Sequence, residues 1–88
     1  MKIKILKKVW ELNFVPFLGK DKDGDCDSPE TPNKQIRIGK YLDSDDALRV
    51  IIHEVLHGAN WHTYSEEYVD ELSTDIARIL IRLGYKKE

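Results

Sequence analysis

The residues of this 88-residue chain best suited to chemistry lie in one short segment, His53-Glu54-Val55-Leu56-His57. Residues four apart in a helix sit one turn apart on the same face, so His53 and His57 can direct two imidazoles at one point. A zinc ion requires this of a ligand pair. Glu54 sits one position round from His53, within reach of a water on such an ion, and can serve as its general base. The structural alternative is a pair of half-buried histidines beside an exposed glutamate.

These groups act together only if the segment is a helix, and its surroundings predict one. Asp43-Ser44-Asp45-Asp46 supplies an N-cap and first-turn acids. Leu48, Ile51, Ile52, Val55, Leu56 and Ala59 form a broad apolar face, and Gly58 is expected to stop the helix just after His57. A second helix opens at Ser65-Glu66-Glu67, with Ser65 as N-cap. Its expected core stripe is Val69, Leu72, Ile76, Ile79, Leu80 and Leu83, and Gly84 suits its C-cap.

Upstream, period-two alternation favours strands from Lys2 to Phe17. Ile3 and Ile5 alternate with lysines, and Trp10, Leu12 and Phe14 alternate with polar residues. The phase changes near Leu6-Lys7-Lys8, which predicts a bulge or bend in one long edge strand. Gly19 to Asn33 reads as an acidic loop of turn formers. Its Asp21-Lys22-Asp23-Gly24-Asp25 invites comparison with a calcium loop, but the glycine falls at the fourth position rather than the sixth and no closing glutamate follows. Cys26 reads as a small, partly buried residue in this loop. Lys34 to Gly39 is a short strand with Ile36 and Ile38 on one face. The expected fold is α+β in one domain, 1–88: a short antiparallel or mixed sheet of two or three strands on two helices.

A catalytic zinc keeps three protein ligands and an open position for water. His62 follows His57 by five residues, whereas the metzincin pattern His-Glu-x-x-His-x-x-Gly-x-x-His needs six, with a glycine where this chain has Asn60. His62 therefore stands as an alternative ligand or a substrate-facing donor. Asp70-Glu71-Leu72-Ser73-Thr74-Asp75 resembles the Asn-Glu-x-x-x-Asp pattern of the gluzincins, the thermolysin-like zinc peptidases, with Asp70 in place of the asparagine. With the strand Ile36–Ile38 leading into the His-Glu-x-x-His helix, the likeness covers roughly Lys34 to Ile81. It extends to minimal gluzincins and to small phage-type metallopeptidase-like proteins.

That resemblance implies a zincin-like core, one Zn²⁺ held by His53, His57 and Glu71, and Asp75 as the partner of His53. Glu67 is the substitute for Glu71 if the register differs. It also implies peptide hydrolysis with Glu54 as base, and a cleft-edging strand, Ile36–Ile38, that pairs with an extended peptide or unfolded segment. His62, Tyr64 and Tyr68 are candidate oxyanion donors by position. The rival is a non-catalytic or latent zinc-binding interaction module using the same site, with Cys26 as a fourth ligand.

Composition narrows the partners. A net charge of −2 and pI near 5.9 give no electrostatic reason to bind nucleic acid. The single cysteine excludes an internal disulfide. The lysine-interrupted Met1–Lys8 is no signal-peptide core, and no apolar run suits a membrane span, so a cytoplasmic location is expected. A protein partner or homo-oligomer is compatible with so small a core.

Overall fold

The structure is a computed structural model that describes residues 1–62 and 64–87. In chain order its elements are β1 (Lys2–Ile5), β2 (Lys8–Val15), β3 (Gly24–Cys26), β4 (Gln35–Gly39), α1 (Ser44–Ala59) and α2 (Glu66–Arg82). The class is α+β, with one four-stranded mixed sheet in the order β1-β2-β4-β3. β1 and β2 are antiparallel, β2 and β4 parallel, and β3 and β4 antiparallel.

The phase change near Leu6 is a chain reversal, not a bulge. Leu6 and Lys7 both have positive φ, 47° and 71°, and join β1 to β2 as a two-residue hairpin turn with Ile5 opposite Lys8. Turns of this sense match the twist of the strands they connect. Turn residues at these positions are normally glycine or asparagine, so leucine and lysine gave no hairpin signal.

The fourth strand, β3, lies inside the expected acidic loop. Gly24, Asp25 and Cys26 pair with Ile38, Arg37 and Ile36 of β4. Its composition is that of a turn, and what holds it is cross-strand chemistry. Arg37 donates to Asp25 Oδ1 at 2.7 Å and to Asp27 Oδ1 at 2.6 Å, while Asp27 Oδ2 accepts from the Gln35 amide at 2.9 Å. Because β3 takes the edge, β4 is interior, and the cleft is edged by β3 rather than by Ile36–Ile38.

Trp10, Leu12, Ile36, Ile38 and Val50 form the core between the sheet and α1. Each large apolar side chain buried there contributes about 1.5–3 kcal/mol. α1 turns Ala47, Val50, Glu54 and Gly58 inward, three and four residues apart. Gly58 does not end the helix, which runs to Ala59. A Cβ on Gly58 would lie 3.1 Å from Trp10, so its role is to let the indole pack against α1.

α2 packs against α1 and touches no strand. Its buried positions are Val69, Ser73 and Ala77, while Ile79 and Leu83, expected in the core, are exposed. Small residues on the α1 side let the two helices approach closely. Both caps fall as expected: Asp43 accepts from the Asp46 amide, and Ser65 from the Tyr68 amide. Beyond α2, Gly84 at φ 95° closes the helix with Tyr85 N bonding Leu80 O and Gly84 N bonding Ile81 O. Among the described residues no helix is long and apolar enough to cross a membrane.

Candidate metal centre

His53 and His57 project from one side of α1 toward the start of α2. Their Nε2 atoms are 3.2 Å apart, with the rings edge to face. Glu66, in the first turn of α2, reaches both: Oε1 lies 2.8 Å from His53 Nε2 and Oε2 lies 2.8 Å from His57 Nε2. One ligand atom from each of the three residues falls within a common 4.8 Å. Both histidines are mostly covered, while Glu66 is exposed and approaches from the solvent side.

The donor set fits zinc. Zinc takes imidazole nitrogens and carboxylate oxygens, and tetrahedral bonds of roughly 2.0–2.1 Å place neighbouring ligand atoms about 3.3 Å apart. The Nε2 separation of 3.2 Å is close to that edge length. In this structure each Nε2 is 2.8 Å from a Glu66 oxygen, so the carboxylate accepts from the ring N–H groups and these contacts hold the cluster together.

Asp70 stands one turn after Glu66. Its Oδ1 lies 3.6 Å from His53 Nδ1 and 3.8 Å from Arg49. The first distance exceeds a hydrogen bond, but it puts a carboxylate beside the nitrogen that faces away from Glu66. Asp70 is thus the carboxylate beside His53 Nδ1, where a histidine that held a metal would need an acceptor.

Glu54 is the buried carboxylate of the centre, 8% exposed. Burial first, then the Glu66 and Asp25 carboxylates, raise its pKa to about 7, with Lys22 pulling the other way. An open cleft of about 490 Å³ spreads over these groups. β3 forms one wall through Gly24, Asp25 and Cys26; His53, Glu54 and His57 line it from α1, with Trp61 and Glu66 completing it. The Cys26 thiol is pushed up to about 12 by burial and by the nearby Glu54, Asp27 and Asp25 carboxylates. Its Sγ donates to the Asp27 carbonyl at 3.3 Å. It serves as a protonated wall and lies outside the three-residue cluster.

The structure brings together His53, His57 and Glu54, and puts the other predicted residues elsewhere. Glu71 and Asp75 line a separate shallow depression with Tyr68 and Leu72, on the side of α2 turned away from the histidines. Glu66 and Asp70 occupy the positions expected of them. Glu67 is exposed and not in the cluster. His62 lines a different hollow with Ile5, Leu6 and Pro29, and Tyr64 packs against Tyr68, so none of the three candidate oxyanion donors lines the cleft. Glu66 and Asp70 were legible: Glu66-Glu67-Tyr68-Val69-Asp70 has the same Glu-x-x-x-Asp spacing as Glu71 to Asp75, five residues earlier. Glu66 lies in the first turn, where helix capping is a sufficient explanation, and Asp70 reads as the residue in place of the gluzincin asparagine. Asp25 and Trp61 carried no sequence signal.

No family model, no curated protein and no solved structure matches this chain.

Proposed function

We propose that this chain is a zinc-dependent, peptidase-like protein of the zincin type, with the gluzincin ligand pattern moved to Glu66 and Asp70. His53, His57 and Glu66 would hold one zinc ion, and Glu54 would be the general base. The observation that carries this reading is the meeting of two imidazoles and a carboxylate from two helices beside a buried glutamate in an open cleft.

Zinc in this position supplies Lewis acidity, acidifying a water and polarising a carbonyl. The chain's own residues supply the rest. Glu54, with its pKa raised to about 7, takes the proton of the attacking water and passes it to the leaving amine. Asp70, 3.6 Å from His53 Nδ1 and beyond hydrogen-bond reach in this structure, would orient that ring on closing the gap. An extended peptide or unfolded segment lies along the cleft and pairs with the free edge of β3, whose backbone is the nearest strand to Glu54.

The test is Glu54→Gln. The variant should bind zinc like the wild-type chain and cleave no peptide in a broad library that the wild type does cleave. Equal cleavage by both would remove Glu54 from the chemistry. Zinc binding with no cleavage by either protein would favour the rival, a metal-binding interaction module. Less than about a tenth of an equivalent of zinc after reloading would dispose of the metal itself.

A further inference from the structure

Away from α1, α2 carries a flank of exposed apolar side chains bordered by Glu71, Asp75, Arg78 and Arg82. Tyr68, Ile79 and Leu83 are exposed at 49%, 59% and 68%, and Leu72 lies between them in sequence. Their spacing of four, seven and four residues aligns them as one stripe. Tyr64 extends it, its ring tilted against that of Tyr68 with the centroids 4.9 Å apart.

Two further features give this stripe a shape and a polarity. A depression of about 220 Å³ is lined by Tyr68, Glu71, Leu72 and Asp75. Those positions are i, i+3, i+4 and i+7, the four-residue hole that receives one knob from a facing helix. Charge is also divided along α2. Its first ten residues carry only acids, Glu66, Glu67, Asp70, Glu71 and Asp75, and the remainder carries Arg78 and Arg82.

We infer that the chain forms a two-fold homodimer through antiparallel packing of α2 on α2, with Ile79 of each copy seated in the hole of the other. A two-fold contact must be self-complementary, and this helix carries both the knob and the hole. The register is consistent along the stripe. Seating Ile79 in the hole puts Leu83 opposite Tyr68 and the axis close to Asp75, whose two copies approach each other there and cost the contact part of what the Arg–Glu pairs give. Arg78 and Arg82 flank the knob and then meet Glu71 and Asp75 on the rim of the hole. A parallel pairing sets acids against acids and arginines against arginines, so charge selects the antiparallel arrangement. Glu66 and Asp70 lie on the α1 side, so the contact leaves the metal centre and its cleft open, and the dimer does not depend on the metal reading.

Sedimentation equilibrium of the full chain tests this. At about 100 μM the wild-type protein should have twice the 10.3 kDa chain mass. Ile79→Asp should weaken the dimer at least ~10-fold while leaving the far-ultraviolet circular dichroism unchanged, since Ile79 is exposed. Glu71→Arg should also weaken it, and adding Arg82→Glu to that variant should restore it. A wild-type monomer at about 100 μM overturns the inference. So does a dimer that ignores Ile79→Asp, or a charge swap that fails to restore association.

Discussion

Glu66 clasps both histidines of α1 from the first turn of α2, with one carboxylate oxygen 2.8 Å from His53 Nε2 and the other 2.8 Å from His57 Nε2. Glu71, five residues further on, faces the other way. Glu66→Ala should therefore lower zinc affinity by at least ~10-fold, the effect expected from losing a ligand or its support. Glu71→Ala should leave affinity unchanged. Competition against a chromophoric chelator measures both, and the reverse ranking would return the third-ligand role to Glu71.

Much of this arrangement could be read from the residues, and the failures share a cause. Both helices and their caps, Asp43 and Ser65, follow from local rules, because a cap bonds an amide three residues away. The pair His53 and His57 follows from helical spacing alone. Apart from the local Leu6-Lys7 turn, whose residues rarely take positive φ, what could not be read was set by contacts distant in sequence. Gly24-Asp25-Cys26 is a strand because Arg37 and the edge of β4 hold it, not because its residues favour one. Glu66 and Glu71 both sit on α2 at spacings that suit a ligand, and only the packing of Val69, Ser73 and Ala77 on α1 decides which of them faces His53. The same packing leaves Ile79 and Leu83 outside, although their periodicity was that of a core stripe.

The approach of β3 to α1 should tolerate no side chain at Gly24. A Cβ there would lie 2.6 Å from Val50 Cγ1, 3.2 Å from Glu54 Cγ and 3.3 Å from the Arg37 carbonyl oxygen. Val50 is buried and stiff at χ1, so it cannot swing aside. Gly24→Ala should destabilise the fold by about 1–3 kcal/mol, the usual cost of overpacking, read from urea unfolding. If the chain is a peptidase, the variant should also cleave more slowly than its folded fraction explains, because the displaced strand is the cleft wall beside Glu54. A variant as stable as the wild type would show that β3 stands further from α1.

Acid should weaken the clamp on β3. Burial acts to raise the Asp27 pKa, but the hydrogen bond from Arg37, the Gln35 amide and the Arg37 charge outweigh it, leaving the carboxyl below its usual value. A carboxyl depressed in the folded state stabilises it above the unfolded pKa of about 3.9, and that contribution is lost as pH falls through the lower folded pKa. The stability difference between wild type and Asp27→Asn should therefore be largest near about pH 6 and shrink toward about pH 2. Chemical unfolding of both proteins across that range measures it. A difference that stays constant or grows in acid would sever the link to the Arg37 pair.

Metal should stabilise the chain, because the proposed ligands come from both helices and an ion would add to the existing packing of α2 on α1. α2 packs on α1 and on no strand, and the residues it buries there include the small Ser73 and Ala77, so its apolar hold is modest. An ion held by His53 and His57 on one helix and Glu66 on the other adds a direct tie. Free zinc at about 100 times its dissociation constant should add about 2.7 kcal/mol to the folded state. For a domain of this length that is a rise in melting temperature of roughly 10–20 °C. Magnesium, which prefers oxygen ligands, should produce no comparable shift. Glu66→Ala should lose at least about half of the zinc-dependent rise, as a ~10-fold weaker affinity implies, measured against its own metal-free melting temperature because Glu66 also contacts both histidines. A wild-type melting curve indifferent to zinc would mean that the ion does not bridge α1 and α2.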